Sequence, residues 1–169
     1  REARVGPGGE LVLLEDQDRS LWDRREIDTG LGLLERALRL DAPGSYVLQA
    51  SIAGEHARAS RPEDTDWPRI ASLYELLVRA QPSPVIELNR AAAVAMANGP
   101  ERGLEILDGG DLGERLADYH PFWSARADLL RRAGRAEEAG QAYARALELA
   151  TNPVERRFLE RRLHDTGRS

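Results

Sequence analysis

Trp123, Ala127 and Leu130 recur at steps of four and three residues, and after Gly134-Arg135 the same steps return in Ala139, Tyr143 and Ala146. Such spacing places each set on one face of a helix. The Gly-Arg step between them reads as a turn. Alanine at Ala127, Ala139 and Ala146 lets two helices approach closely, and Trp123 and Tyr143 fill the space beside them. A hairpin of this kind cannot bury its apolar face alone, so the chain around it must supply neighbouring helices.

The punctuation of the rest of the chain supplies them. Asp18 or Ser20 can cap a helix carrying Leu21, Trp22, Ile27, Leu31, Leu34 and Leu38, with a break expected near Asp28-Thr29-Gly30. Asp41 to Ser45 reads as a turn, and a helix with Tyr46, Leu48, Ile52 and His56 follows to about Ala59. Thr65 or Asp66 caps the next, with Pro68 in its first turn, where a missing N–H costs nothing. Gln81-Pro82 stops that helix, Ser83-Pro84 starts another that ends at Asn98-Gly99, and Pro100 opens a shorter one to Leu107. Leu112 to Leu116 is a helical turn, the hairpin occupies Tyr119 to Ala150, and Asn152-Pro153 opens a last helix to about His164. Residues 1–19 differ: Gly6-Pro7-Gly8-Gly9 followed by Glu10 to Leu14 predicts a turn and a short extended run, either a small hairpin or a strap.

The Trp123–Leu149 pattern resembles a tetratricopeptide (TPR) hairpin. Leu34, Tyr74, Leu107 and Tyr143 hold matching places in successive second helices at spacings of 40, 33 and 36 residues, which bracket the TPR period of about 34. The predicted fold is all-α: stacked antiparallel helix pairs in a TPR-like right-handed array over residues 20–169, preceded by a strap over 1–19.

Composition bounds the function. The chain has 169 residues, no cysteine and a net charge of −5, and all 24 of its basic residues are arginine. Absent cysteine removes disulfides, thiolate nucleophiles and thiolate metal sites. No run approaches the roughly 18 apolar residues of a membrane span, which predicts a soluble, cytoplasmic protein with no membrane partner. Arginine without lysine, with abundant alanine, points to a GC-rich bacterial coding sequence. The chain begins at Arg1 and reads as a piece of a longer protein.

Five phrases in order go beyond a generic repeat: Gln17 to Arg24 (QDRSLWDR), Glu63 to Ile70 (EDTDWPRI), Ser83 to Ala91 (SPVIELNRA), Tyr119-His120 with Ala125 to Arg132, and Glu155 to Leu159 (ERRFL). The series resembles the C-terminal, TPR-like extension of a group of bacterial extracytoplasmic-function (ECF) sigma factors, over about Val5 to Leu163. That resemblance implies sigma regions ahead of Arg1 that recognise the promoter and RNA polymerase. It further implies that this extension regulates transcription initiation by contacts with those regions, with polymerase or with a regulatory protein. The first repeat departs from TPR spacing, so no standard TPR ligand mode carries over to it.

Chemistry-bearing residues are sparse. His56, His120 and His164 lie far apart with no metal-binding spacing, and neither glycine-rich stretch has a phosphate-loop context. Glu63, Asp64 and Asp66 are explained by solvation and capping, so no catalytic, cofactor or metal site is expected and the chain reads as non-enzymatic. Asp18, Arg19 and Trp22 are the foremost polar candidates: an Asp–Arg pair beside an indole can pin the strap or meet a partner. Asn89 and Arg90, with Ser124 and Asp128, lie in first-type helices, which line the concave face of a TPR array, and are the other partner-contact candidates. Two other functions stay open: a stand-alone TPR-like adaptor, and a helical domain that binds a small molecule.

Because arginines alternate with acids and net charge is negative, the chain lacks the clustered positive charge that phosphate backbones require. It should give no salt-sensitive, submicromolar shift with duplex DNA in an electrophoretic assay.

Overall fold

The structure, a computed structural model, describes residue 12 and residues 16–39 and 44–166. The expected turn and extended run over residues 5–14 falls, but for Val12, outside them, as does most of the turn at 41–43. The described residues are helical, without strands, and divide into two units, Arg1–Pro82 and Ser83–Ser169.

In the first unit a 3₁₀ turn, Arg19–Leu21, leads to α1 (Arg24–Leu38), α2 (Ser45–Arg58) and α3 (Trp67–Ala80). α1 packs on α2, and α2 on α3. Leu48, Ile52, Ala59, Ile70 and Leu77 form the buried apolar set. α1 starts later than its sequence suggests. Trp22 is extended, and Asp23 caps the helix by accepting from the amides of Arg25 and Glu26 at 2.9 and 3.1 Å. Nor does α1 break at Asp28-Thr29-Gly30. Gly30 and Gly32 sit on its exposed side, while Ile27, Leu31 and Leu34 are half-buried. The penalty of about 1 kcal/mol per helical glycine is smaller than what that apolar face contributes.

The second unit holds α4 (Pro84–Asn98), α5 (Pro100–Leu107), the single turn α6 (Leu112–Arg115), α7 (His120–Arg132), α8 (Ala136–Leu149) and α9 (Pro153–Thr166). Neighbours in sequence pack as neighbours in space: α4 with α5, α5 with α7, α7 with α8, and α8 with α9. One continuous apolar core runs from Leu88 through Leu104, Phe122 and Leu130 to Leu159. The α7–α8 hairpin is built as its residue spacing predicts. Ala127, Leu130, Ala139, Tyr143 and Ala146 are at most 1% exposed, and Trp123 is half-buried with its indole N–H donated to the Ala117 carbonyl at 2.8 Å.

The hairpin turn explains Gly134. The Arg135 amide donates to the Leu130 carbonyl at 2.9 Å and the Gly134 amide to that of Arg131 at 3.1 Å, which places Gly134 at φ +77°. This is a Schellman ending, whose left-handed position favours glycine. A second glycine works through space. A Cβ on Gly103 of α5 would lie 2.6 Å from Ala95 Cβ, 2.8 Å from the Ala91 carbonyl oxygen and 2.8 Å from Leu129 Cδ1. Backbone and methyl groups cannot swing aside, so α5 sits on α4 only because residue 103 has no side chain.

Gly103→Ala, Ala139→Leu and Ala146→Leu should therefore each overpack the second unit and cost about 1–3 kcal/mol, in Gly103→Ala despite the better helix propensity of alanine. A lower thermal midpoint by circular dichroism is the expected result for all three.

Candidate functional site

Helix α2 ends at Arg58, and Ala59 leaves it in an extended conformation, ψ 126°. The last carbonyls of a helix have no intrahelical donors and must find others. Arg19 provides them. One guanidinium nitrogen donates to the carbonyls of His56, at 3.0 Å, and Ala59, at 2.8 Å; the other donates to Thr65 Oγ1 at 3.3 Å. Arg24, from the first turn of α1, donates to the Ala57 carbonyl at 3.2 Å. Arg19 is 4% exposed, and its guanidinium lies 5.1 Å from the centre of the Trp22 ring. A cation at a helix C-terminus also meets the negative end of the helix dipole, an interaction of up to about 2 kcal/mol when partly buried.

Asp18 does not complete this site. It is exposed and accepts from the Ser20 amide at 2.9 Å, capping the 3₁₀ turn; the Ser20 hydroxyl, and then this amide, hold its carboxyl below its ordinary pKa. The expected Asp–Arg pin is thus replaced by a pin of arginine to backbone carbonyls. Burial, and then the charge of Arg24, lower the Arg19 pKa. Thr65 and Asp66 share the work that their sequence left undivided: Asp66 caps α3 by accepting from the Arg69 amide at 3.0 Å, and Thr65 turns inward to Arg19.

Around the clasp, Glu55 is buried and accepts from Arg69 Nε at 2.8 Å. The His56 ring meets Trp67 edge-on at 5.2 Å, and its Nδ1 is buried without a hydrogen-bond partner among the described residues. Burial, then the nearby charge of Arg19, push the His56 pKa below 6.5. Glu63 and Asp64 stay exposed, both beside Arg61 at 3.5 and 2.9 Å.

In the second unit the candidates sit in local pairs. Arg90 grips Glu87 of its own helix with two bonds of 2.5 and 3.1 Å, and Asn89 beside it is exposed. Asp128 accepts from Arg131 at 2.7 Å, and Ser124 is half-buried on the same helix, α7. The Arg132 guanidinium rests 3.0 Å from Met96 Sδ, which sets the C-terminal ends of α4 and α7 side by side. His120 Nε2 lies 3.3 Å from Glu155 of α9. Among the described residues no group of three or more acidic, histidine or cysteine side chains is placed to hold a metal, and no helix is long and apolar enough to cross a membrane.

Sequence reasoning missed Arg156. Its guanidinium donates to the carbonyls of Leu147, at 2.7 Å, and Ala150, at 2.9 Å, closing the end of α8 as Arg19 closes that of α2. The readable signal was arginine in the first turn after an Asn-Pro helix start, within a phrase valued for its order alone.

Residues 1–38, which include the Arg19 turn and α1, match a family described as a family of unknown function, DUF6596. The chain is similar to Uncharacterized protein R00370 of Rhizobium meliloti (strain 1021), with 48% identity over 161 residues that cover 95% of the chain. The match covers 38% of that relative, so the chain spans well under half its length. No solved structure matches the chain.

Two measurements test the site. Arg19→Met keeps the apolar stem and removes the donors, so the thermal midpoint should fall. Because folded His56 holds its proton more weakly than unfolded His56, the unfolded state takes up protons first as pH falls. Stability should therefore drop as pH falls below about 6.5, and His56→Gln should flatten that part of the profile.

Proposed function

We propose that this chain is the C-terminal regulatory, protein-interaction part of an ECF-type RNA polymerase sigma factor, acting without catalysis or cofactor. The observation that carries the reading is the ordered series of five phrases. The first runs up to the start of α1, the second and third span the starts of α3 and α4, the fourth takes the start and the C-terminal part of α7, and the fifth lies in the first half of α9. The long relative supports it, because most of that protein lies outside the matched part and leaves room for other domains. Serial helix pairs with polar first-type helices suit a surface for docking, and the net charge of −5 suits a domain that leaves DNA contact to others.

In this reading the domain docks on the sigma regions or on polymerase through the segment around Asp18-Arg19 and the α4 surface near Asn89-Arg90. Tethering to the sigma regions keeps their effective concentration high, so even weak contacts regulate. The test uses the intact parent protein and a promoter reporter. Charge reversal at Arg90 (Arg90→Glu) should change reporter output while circular dichroism stays unchanged. Deleting residues 20–169 should change output as well. Unaltered transcription after that deletion, under every growth condition, would favour a separate adaptor role instead.

A further inference from the structure

Two helix ends in this chain, one in each unit, are closed by the same device. Both α2 and α8 stop at an alanine in extended conformation, Ala59 with ψ 126° and Ala150 with ψ 125°. In both, one guanidinium nitrogen bridges the carbonyl of that alanine and the carbonyl three residues before it: Ala59 with His56, and Ala150 with Leu147. The two arginines differ in origin. Arg156 is the fourth residue of the helix that directly follows α8. The fourth residue of α3, which follows α2, is the fully buried Ile70. The guanidinium at α2 comes instead from Arg19, 37 and 40 residues away along the chain.

We propose that the C-terminus of α2, with Thr65, is a guanidinium-binding site, which Arg19 fills from within the chain and which an arginine side chain of a partner protein can fill in its place. The site offers two carbonyls and a hydroxyl, acceptors that suit the fixed fork of donors on a guanidinium better than the point charge of an ammonium. Among the described residues, the hydrogen bonds of Arg19 include none to a carboxylate, and its Nε is buried without an acceptor. The occupant is therefore held by a few directional bonds, a ring contact and the field of the Glu63 and Asp64 carboxylates, with no hydrogen-bonded ion pair to break on exchange. The turn on which Arg19 stands is secured by short-range bonds: Leu21 to Asp18 at 3.3 Å, Trp22 to Arg19 at 3.2 Å and Ser20 to Asp18. A partner's arginine that took the site would release this turn from α2. The inference rests on this geometry and stands apart from the sigma-factor reading.

Chemical rescue tests it. In Arg19→Ala the emptied site should accept N-ethylguanidinium, raising the thermal midpoint along a saturable curve in the millimolar range that such an untethered fragment requires. Methylammonium chloride at the same concentrations should give no rise, and adding Thr65→Val should weaken the rescue. If Arg19→Ala does not fold by itself, the same binding appears as helical signal regained on adding N-ethylguanidinium. The binding site is disproved if the variant gains no more from N-ethylguanidinium than the unsubstituted chain, or gains equally from methylammonium. Exchange of occupants is read in the unsubstituted chain: excess acetyl-arginine-amide should speed hydrogen exchange at the Leu21 and Trp22 amides and leave Ala91 and Ala93 in α4 unchanged. Exchange at Leu21 and Trp22 that does not respond would overturn the displacement.

Discussion

A helix that ends inside a protein leaves carbonyls that water cannot reach, and the first unit depends on how that need is met at α2. Arg19 and Arg24 reach back to the carbonyls of His56, Ala57 and Ala59. The same bonds that close α2 therefore secure the segment before α1 and the first turn of α1. Thr65, Trp22 and the buried Glu55, paired with the exposed Arg69, gather around this point. A charged group is expensive to bury, and this one is tolerated because carbonyl dipoles face it from the end of a helix.

In the second unit the controlling constraint is close approach. Gly103 lets α5 lie against Ala91 and Ala95 of α4, and Ala127, Ala139 and Ala146 let α8 lie against α7. Small residues at the contact leave little area for each to bury, so large neighbours such as Phe122, Leu130 and Tyr143 complete the core. Tyr143 is packed as a hydrophobe. Its hydroxyl is enclosed near Arg131 and Asp128 without a well-formed hydrogen bond, and burial raises its pKa.

The polar residues of α4 and α7 are held by short-range pairs, Glu87 with Arg90 and Asp128 with Arg131. Such pairs between neighbouring turns are worth only a few tenths of a kcal/mol. They orient side chains at little cost in stability. Arg19 differs in kind: it is buried, and it joins parts of the chain that are distant in sequence.

Local signals decided much of this protein before any tertiary contact was known. Helix starts at Pro84, Pro100 and Pro153, the glycine turn at Gly134 and the alanine–aromatic spacing of α7 and α8 are written in single residues, because backbone torsions and side-chain volume act locally. Where local signals conflicted, tertiary packing ruled. Glycines that argue for a break at residue 30 lie in an unbroken α1, since its other face is covered by α2. Asp18 and Arg19, adjacent and opposite in charge, part company because the orphan carbonyls of α2 draw the arginine inward. Thr65 and Asp66 are equivalent caps by sequence, and only the position of Arg19 tells them apart. The role of Arg19 was out of reach for the same reason: its acceptors are main-chain atoms about forty residues away, and a carbonyl carries no letter in a sequence.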